Sequence, residues 1–203
     1  MCFRIHYFRT GKALLDAANC RDTMSLQAIV CVIIYLQSSM SMHSCHSYLS
    51  IAVSASLQMG LHRSSASTHL DPMQQETRKR LFWVIQTMET YVTTLLGLPT
   101  TLSDEDIDQE IPLCVDDECL TRPSSPLATS RMTAVNAHIR LIRIMRDMVH
   151  EIYPRAKRPE NKSGEPYRVD YSRIVKFEKE LDLWFRSIPA PTTTDSLQPN
   201  LLR

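Results

Sequence analysis

The chain has 203 residues, enough for one hydrophobic core. Its formal net charge is +1 at pH 7, with 22% charged and 43% apolar residues, so composition predicts no global attraction to nucleic acid or to membranes. Only four glycines are present, which argues against a loop-rich all-β design.

The sequence predicts six amphipathic helices and contains no alternating strand pattern. This indicates an all-α, bundle-like fold. The fourth helix is the clearest, because Asp71 can cap it, Pro72 suits its first turn and Gly97 can end it. Its apolar stripe contains Leu81, Ile85, Met88, Val92 and Leu95. The other helices are placed at about residues 3–19, 25–39 (capped by Thr23 or Ser25), 42–59 (stopped by Gly60), 128–153 and 171–187.

An acidic, proline-punctuated segment covers residues 100–126. It is too long for a casual connection, so we expect it to pack against the helices or to have a role of its own. Its carboxylates lack the spacing of a calcium loop, which favours a solvated surface. The polar linker at 154–166 and the tail at 190–203 carry no apolar stripe, and we expect the tail to be disordered.

The cysteines form no CxxC pair and have no histidine at zinc-ligand spacing, which favours reduced and mostly buried thiols in a cytosolic or nuclear protein. His43 and His46 flank Cys45, but no further ligand completes a tetrahedral set. No apolar run reaches the ~20 residues of a membrane helix. Because no catalytic motif is found either, the sequence predicts a protein that is not an enzyme and holds no cofactor.

The stretch ETRKRLFW, residues 76–83, places three basic residues beside Leu81, Phe82 and Trp83. Glu76 and Arg80 are four residues apart, as in a solvent-exposed ion pair on a helix. Trp83 is expected to anchor a helix–helix contact. This structural interpretation is favoured over direct DNA binding, because a single basic cluster is a weak electrostatic footprint.

Four segments in this order resemble the middle homology region of fungal transcription factors that carry a zinc binuclear-cluster, six-cysteine DNA-binding domain. The matching motifs are a Gly-Leu-His-Arg helix end, a Glu-x-x-Arg-Arg-Leu-x-Trp-like helix start, Leu-Gly-x-Pro and Asp-x-x-Leu/Ile-Pro. The residues that match are Gly60, Leu61, His62, Arg63, Glu76, Lys79, Arg80, Leu81, Trp83, Leu96, Gly97, Pro99, Asp108 and Pro112. The family often has Asp where this chain has Glu89, and Arg where it has Lys79.

The resemblance covers about residues 1–189 and implies an incomplete regulatory domain of a nuclear transcription factor. It implies that zinc and DNA are bound only by a separate module, because no C-x2-C-x6-C cluster precedes the region. We therefore expect a fragment, a short gene model or a diverged remnant, without membrane association. Implied partners are other transcription-regulatory proteins or the missing domains, with homodimerisation possible through the full-length protein.

A second hypothesis is a helical small-molecule-binding or enzyme-like domain with a cavity between its helices. The Met-, Tyr- and Cys-rich stripes motivate it, because methionine surfaces adapt to ligands. The same residues also suit an ordinary core.

Overall fold

The computed structural model describes residues 2–16, 19–67, 69–117, 120, 130–153 and 169–188. Within these ranges there are six α-helices and no strand, so the predicted all-α fold is confirmed. The helices are α1 (Cys2–Leu14), α2 (Thr23–Ser38), α3 (Met42–Gln58), α4 (Pro72–Leu96), α5 (Arg131–Ile152) and α6 (Tyr171–Ser187). Predictions for the linker at 154–166 and for the tail at 190–203 lie outside the described residues.

The predicted boundaries are correct for α3, α4 and α6 and wrong at three other places. Helix α1 ends at Leu14 rather than near residue 19, because Cys20 is buried and Asp22 already begins the next helix. The cap of α2 is Asp22, whose Oδ1 accepts the Ser25 N–H at 2.8 Å. Helix α5 begins only at Arg131, since Ser130 accepts the Met132 N–H as its cap.

Helix α4 has the ends that the sequence predicts. Asp71 Oδ1 accepts the Met73 N–H at 3.0 Å, and Pro72 occupies the first turn, where its missing N–H has no cost. Gly97 has φ of +67°, the left-handed conformation that lets the Leu98 N–H bond Thr93 O at 2.8 Å. Two short 3₁₀ turns, Ser65–Ser67 and Asp104–Asp106, flank this helix in the chain.

The chain divides into two compact units, Met1–Leu113 and Cys114–Arg203. In the first unit, α2 packs on α3 and α3 packs on α4. The core between them is apolar, and each fully buried Leu, Ile or Phe contributes about 1.5–3 kcal/mol. Its largest fully buried side chains are Phe82, Leu26, Ile29, Ile33, Leu49, Leu61 and Ile85. Phe8 of α1 stacks on Tyr35 with a ring-centroid distance of 3.8 Å.

The second unit is built on the packing of α5 against α6. Trp184 Nε1 donates to Ala137 O at 2.8 Å, and Arg173 Nη1 donates to Glu151 O at 2.7 Å. These contacts join the two ends of the pair, so the helices run antiparallel. Phe177 is buried.

Some expectations about burial are wrong. Leu95 is 55% exposed because the α4 stripe loses its cover near the helix end. The predicted stripe of α6 comprises Ile174, Phe177, Leu181 and Trp184, but Ile174 and Leu181 are exposed because the helix buries only one side of its apolar face. Cys20 and Cys45 are buried as expected, whereas Cys31 and Cys114 are exposed. Among the described residues, no helix is both long and apolar enough to cross a membrane.

Candidate structural site around helix α4

The end of α3 is a tight turn formed by the Gly60-Leu61-His62-Arg63 motif. Gly60 has φ of +70°, and its N–H bonds Leu57 O at 3.0 Å. The Leu61 N–H bonds Ser56 O at 2.9 Å, which completes a Schellman motif. An added Cβ at Gly60 would lie 3.1 Å from Ala66 Cβ, so this position suits glycine for two separate reasons.

Residues 101–113, here called the strap, run back along α4 after the turn at Gly97. The Thr101 N–H donates to Glu89 Oε1 at 2.7 Å, while the Leu113 N–H donates to Glu76 Oε1 at 3.0 Å. The start of the strap therefore lies beside the C-terminal third of α4 and its end beside the first turns. The expectation that the acidic segment packs on the helices is confirmed for these residues.

Trp83 and Lys79 hold the strap at Glu110. Trp83 is 5% exposed, and its Nε1 donates to Glu110 O at 2.7 Å. Lys79 Nζ lies 2.9 Å from Glu110 Oε2, and this hydrogen bond lowers the pKa of the Glu110 carboxyl. Trp83 is thus an anchor for the strap.

Glu76 joins helix and strap through a buried carboxylate. Its Oε1 accepts from Arg80 Nε at 3.0 Å as well as from the Leu113 N–H. The predicted pair with Arg80 is present, but the prediction that it faces solvent is wrong, since Glu76 is only 2% exposed. The strap covers this face of the helix and removes the carboxylate from water.

Asp108 and Gln109 connect the strap to the turn after α3. The Asp108 N–H donates to His62 O at 3.2 Å, and Asp108 Oδ1 accepts the Ser64 N–H at 2.7 Å. The Gln109 side chain is buried, and its Nε2 donates to Leu61 O at 2.8 Å. The Gly-Leu-His-Arg turn is therefore fixed by partners about 45 residues later in the chain.

The three basic residues of ETRKRLFW are engaged inside the first unit. Arg78 Nη2 donates to Met59 O at 2.6 Å, at the carboxyl end of α3, where a cation suits the helix dipole. Burial lowers the pKa of this guanidinium. Lys79 bonds Glu110 and Arg80 bonds Glu76. All three basic side chains therefore bond groups of the same unit.

Most of the family-motif residues meet at one place. The turn at Gly60, the start of α4 and the Asp108–Pro112 end of the strap form a single clasp, in which Leu81 and Pro112 are buried and Arg63 is exposed. Leu96, Gly97 and Pro99 lie at the other end of a 25-residue helix, roughly 30 Å from Glu76 at 1.5 Å per residue. They reverse the chain so that the strap can return.

Three residues that hold the clasp or the strap were not among the predicted site residues: Arg78, Glu89 and Gln109. Each has a polar side chain bound to a backbone group that is distant in sequence. No local periodicity marks such pairs. Only the tertiary arrangement reveals them.

The described residues contain no group of three or more His, Cys, Asp or Glu side chains that could hold a metal. Cys45 lies in the core with its Sγ 3.9 Å from Ile33 O, and burial raises the pKa of its thiol. The groove between α5 and α6, with a volume of about 440 Å³, is open to solvent and is lined partly by Arg140, Glu180 and Trp184.

The family profile described as "Fungal specific transcription factor domain" matches residues 2–186. The chain belongs to this family. The clasp is therefore a feature of a fungal transcription factor domain, and the resemblance predicted from the ordered motifs is confirmed. No solved structure matches the chain.

Curated relatives are transcriptional regulators by name. The chain is 35% identical to "Activator of stress genes protein 1" of Candida albicans and 33% identical to "Activator of stress genes 1" of Saccharomyces cerevisiae, each over 90% of its length. It is 31% identical to "Transcriptional activator protein acu-15" of Neurospora crassa over 86% of its length. It spans only about a fifth of these relatives, 20%, 19% and 19% respectively.

Proposed function

We propose that this chain is a non-catalytic regulatory domain of a fungal nuclear transcription factor and modulates transcription in the nucleus. The family match over residues 2–186 carries the proposal. In the full-length protein, DNA is read by a separate zinc-cluster module, so this domain contacts DNA only indirectly. Its partners are other transcription-regulatory proteins or further domains of the same polypeptide, and dimers form through the full-length protein.

The clasp supports a regulatory rather than a DNA-reading role. Arg78, Lys79 and Arg80, the basic cluster of α4, bond Met59 O, Glu110 and Glu76. Phosphate contacts would have to replace these bonds, and those of Arg78 and Arg80 are partly shielded from solvent. Electrostatic attraction to a nucleic acid backbone requires accessible cations, so this face is poorly suited to it.

The experiment fuses the 203-residue chain to a heterologous DNA-binding domain and measures a reporter gene in a fungal host. We expect transcription to differ from that given by the DNA-binding domain alone. A matched fusion carrying Trp83→Ala, in which the clasp is broken, should lose this difference at equal protein level. Identical reporter output from all three proteins, in every growth condition tried, would overturn the proposal.

Direct DNA binding is tested separately with the unfused chain. A gel shift at physiological salt should show no binding tighter than ordinary non-specific affinity, roughly 10⁻⁴–10⁻⁶ M. Tight binding that disappears when Arg78, Lys79 and Arg80 are replaced by glutamine would instead assign DNA contact to this face.

A further inference from the structure

Two side chains on α4, Gln86 and Glu89, are almost completely buried and only partly hydrogen-bonded. Gln86 is 4% exposed and Glu89 is 2% exposed. Gln86 Nε2 and Glu89 Oε2 have no partner among the described residues, and both atoms are inaccessible. One is a donor without an acceptor and the other is an acceptor without a donor.

The neighbouring polar groups are already engaged. Thr90 Oγ1 donates to Gln86 O at 2.9 Å, and Thr93 Oγ1 donates to Glu89 O at 2.7 Å. The Thr101 N–H is bound to the other carboxylate oxygen, Glu89 Oε1, at 2.7 Å. None of these donors is left for Glu89 Oε2. Buried polar atoms of this kind are normally satisfied by protein or by ordered water.

Gln86 and Glu89 are three residues apart, so their Cβ atoms lie about 5–6 Å apart on one helix face. We propose that a single internal water molecule bridges them, accepting from Gln86 Nε2 and donating to Glu89 Oε2. A polar site with at least two partners is where buried waters are found. The water fixes the Glu89 carboxylate, which in turn holds the Thr101 N–H, so it connects α4 to the start of the strap.

This inference does not depend on the proposed function, because it concerns how the strap is positioned. It assigns Glu89 as a positioning residue that acts through Thr101. It also explains how two long polar side chains are retained in the interior of the first unit.

The unmodified 203-residue chain provides the first test. Water-selective nuclear Overhauser spectroscopy on isotope-labelled protein should show a long-lived water contact at the Gln86 side-chain amide. A crystal structure at better than about 2 Å should show the same water between the two side chains. A direct bond from Gln86 Nε2 to Glu89 Oε2, or the absence of a water contact, would overturn the proposal.

The second test replaces the donor and keeps a similar volume, with Gln86→Met. We expect loss of the water contact and amide exchange at Thr101 at least tenfold faster, because the carboxylate loses one of its restraints. The matched control is Gln27→Met on the exposed side of α2, which should leave Thr101 exchange unchanged. A water contact near Glu89 that persists in Gln86→Met would show that Gln86 is not its partner, contrary to the proposal.

Discussion

The two units of this chain use similar amphipathic helices but bury them very differently. Among the described residues, and leaving proline aside, nineteen apolar side chains are buried in Met1–Leu113 and only three in Cys114–Arg203, namely Ile139, Ile142 and Phe177. The first unit also contains the buried polar contacts of the clasp. In the second unit Leu183 and Phe185 are 66% and 71% exposed. Amphipathic spacing therefore marks a face available for packing, whereas the number and arrangement of neighbours decide how much of it is buried.

The two tryptophans provide the largest test of this difference. Each donates its Nε1 proton to a backbone carbonyl, but Trp83 is buried and Trp184 is half-buried. We expect Trp83→Ala to lower the free energy of unfolding by about 3–5 kcal/mol. Trp184→Ala should lower it by about 1–2 kcal/mol, a common range for a partly buried side chain.

Urea unfolding followed by far-UV circular dichroism measures both values. Because the chain has two tryptophans, the fluorescence of the remaining one shows whether the unaltered unit unfolds in the same transition. Trp83→Phe keeps an aromatic ring and removes the donor, so it should cost only about 1–2 kcal/mol. Equal losses for the two alanine variants would contradict the contrast between the units.

Glu76→Ala tests the buried carboxylate of the clasp. The change removes the buried carboxylate oxygen that accepts from Arg80 Nε and from the Leu113 N–H, so we expect a loss of about 2–3 kcal/mol in the free energy of unfolding. The control is Asp182→Ala, which removes the exposed pair with Arg186 in the second unit and should change stability by less than about 0.5 kcal/mol. If both variants unfold at the same urea concentration, burial does not distinguish the two pairs.

The glycines test how far backbone conformation stabilises the first unit. Gly60→Ala should lower the free energy of unfolding by about 2 kcal/mol or more, because φ is positive and Ala66 is close. Gly97→Ala should lower it by about 1 kcal/mol, because only the positive φ opposes the change. Gly11→Ala, inside α1 with open space around it, should raise stability by about 0.5–1 kcal/mol. Thermal unfolding ranks the three variants by their change in stability. A stabilising Gly60→Ala would refute the assigned turn.

The smallest effects concern pH, and they have opposite signs in the two units. The pKa of Glu110 is lowered by its hydrogen bond to Lys79, so its contribution is present above the unfolded pKa and is lost as pH falls through the folded pKa. The pKa of Lys176 is raised by its hydrogen bond to Glu151, so its contribution is present below the unfolded pKa and is lost as pH rises through the folded pKa.

Melting temperatures of the parent chain and of two variants across the pH range measure these slopes. Glu110→Gln should make the melting temperature depend less on pH in the acid range. Lys176→Met should do the same in the alkaline range. An unchanged acid slope in Glu110→Gln would mean that the Lys79–Glu110 pair adds nothing to the stability of the clasp.

The sequence by itself determined the helices with strong local signals. Asp71, Pro72 and Gly97 specify the ends of α4 through short-range geometry, and the same holds for Gly60 at the end of α3. The ordered motifs also predicted the family. The ends of α1 and α5 were predicted less well: α1 stops before Cys20, which is buried, and α5 starts at Arg131, after the Ser130 cap.

Only the tertiary structure decided what ETRKRLFW does. The sequence predicted that its charged side chains are exposed to solvent. The pattern of one helix cannot show that a segment some 30 residues later packs against it. The strap covers that face, and Glu76, Lys79 and Trp83 become its attachment points. Side chains that bond distant backbone groups carry no local pattern, since the cost of leaving those groups unpaired arises only once the chain has brought them together.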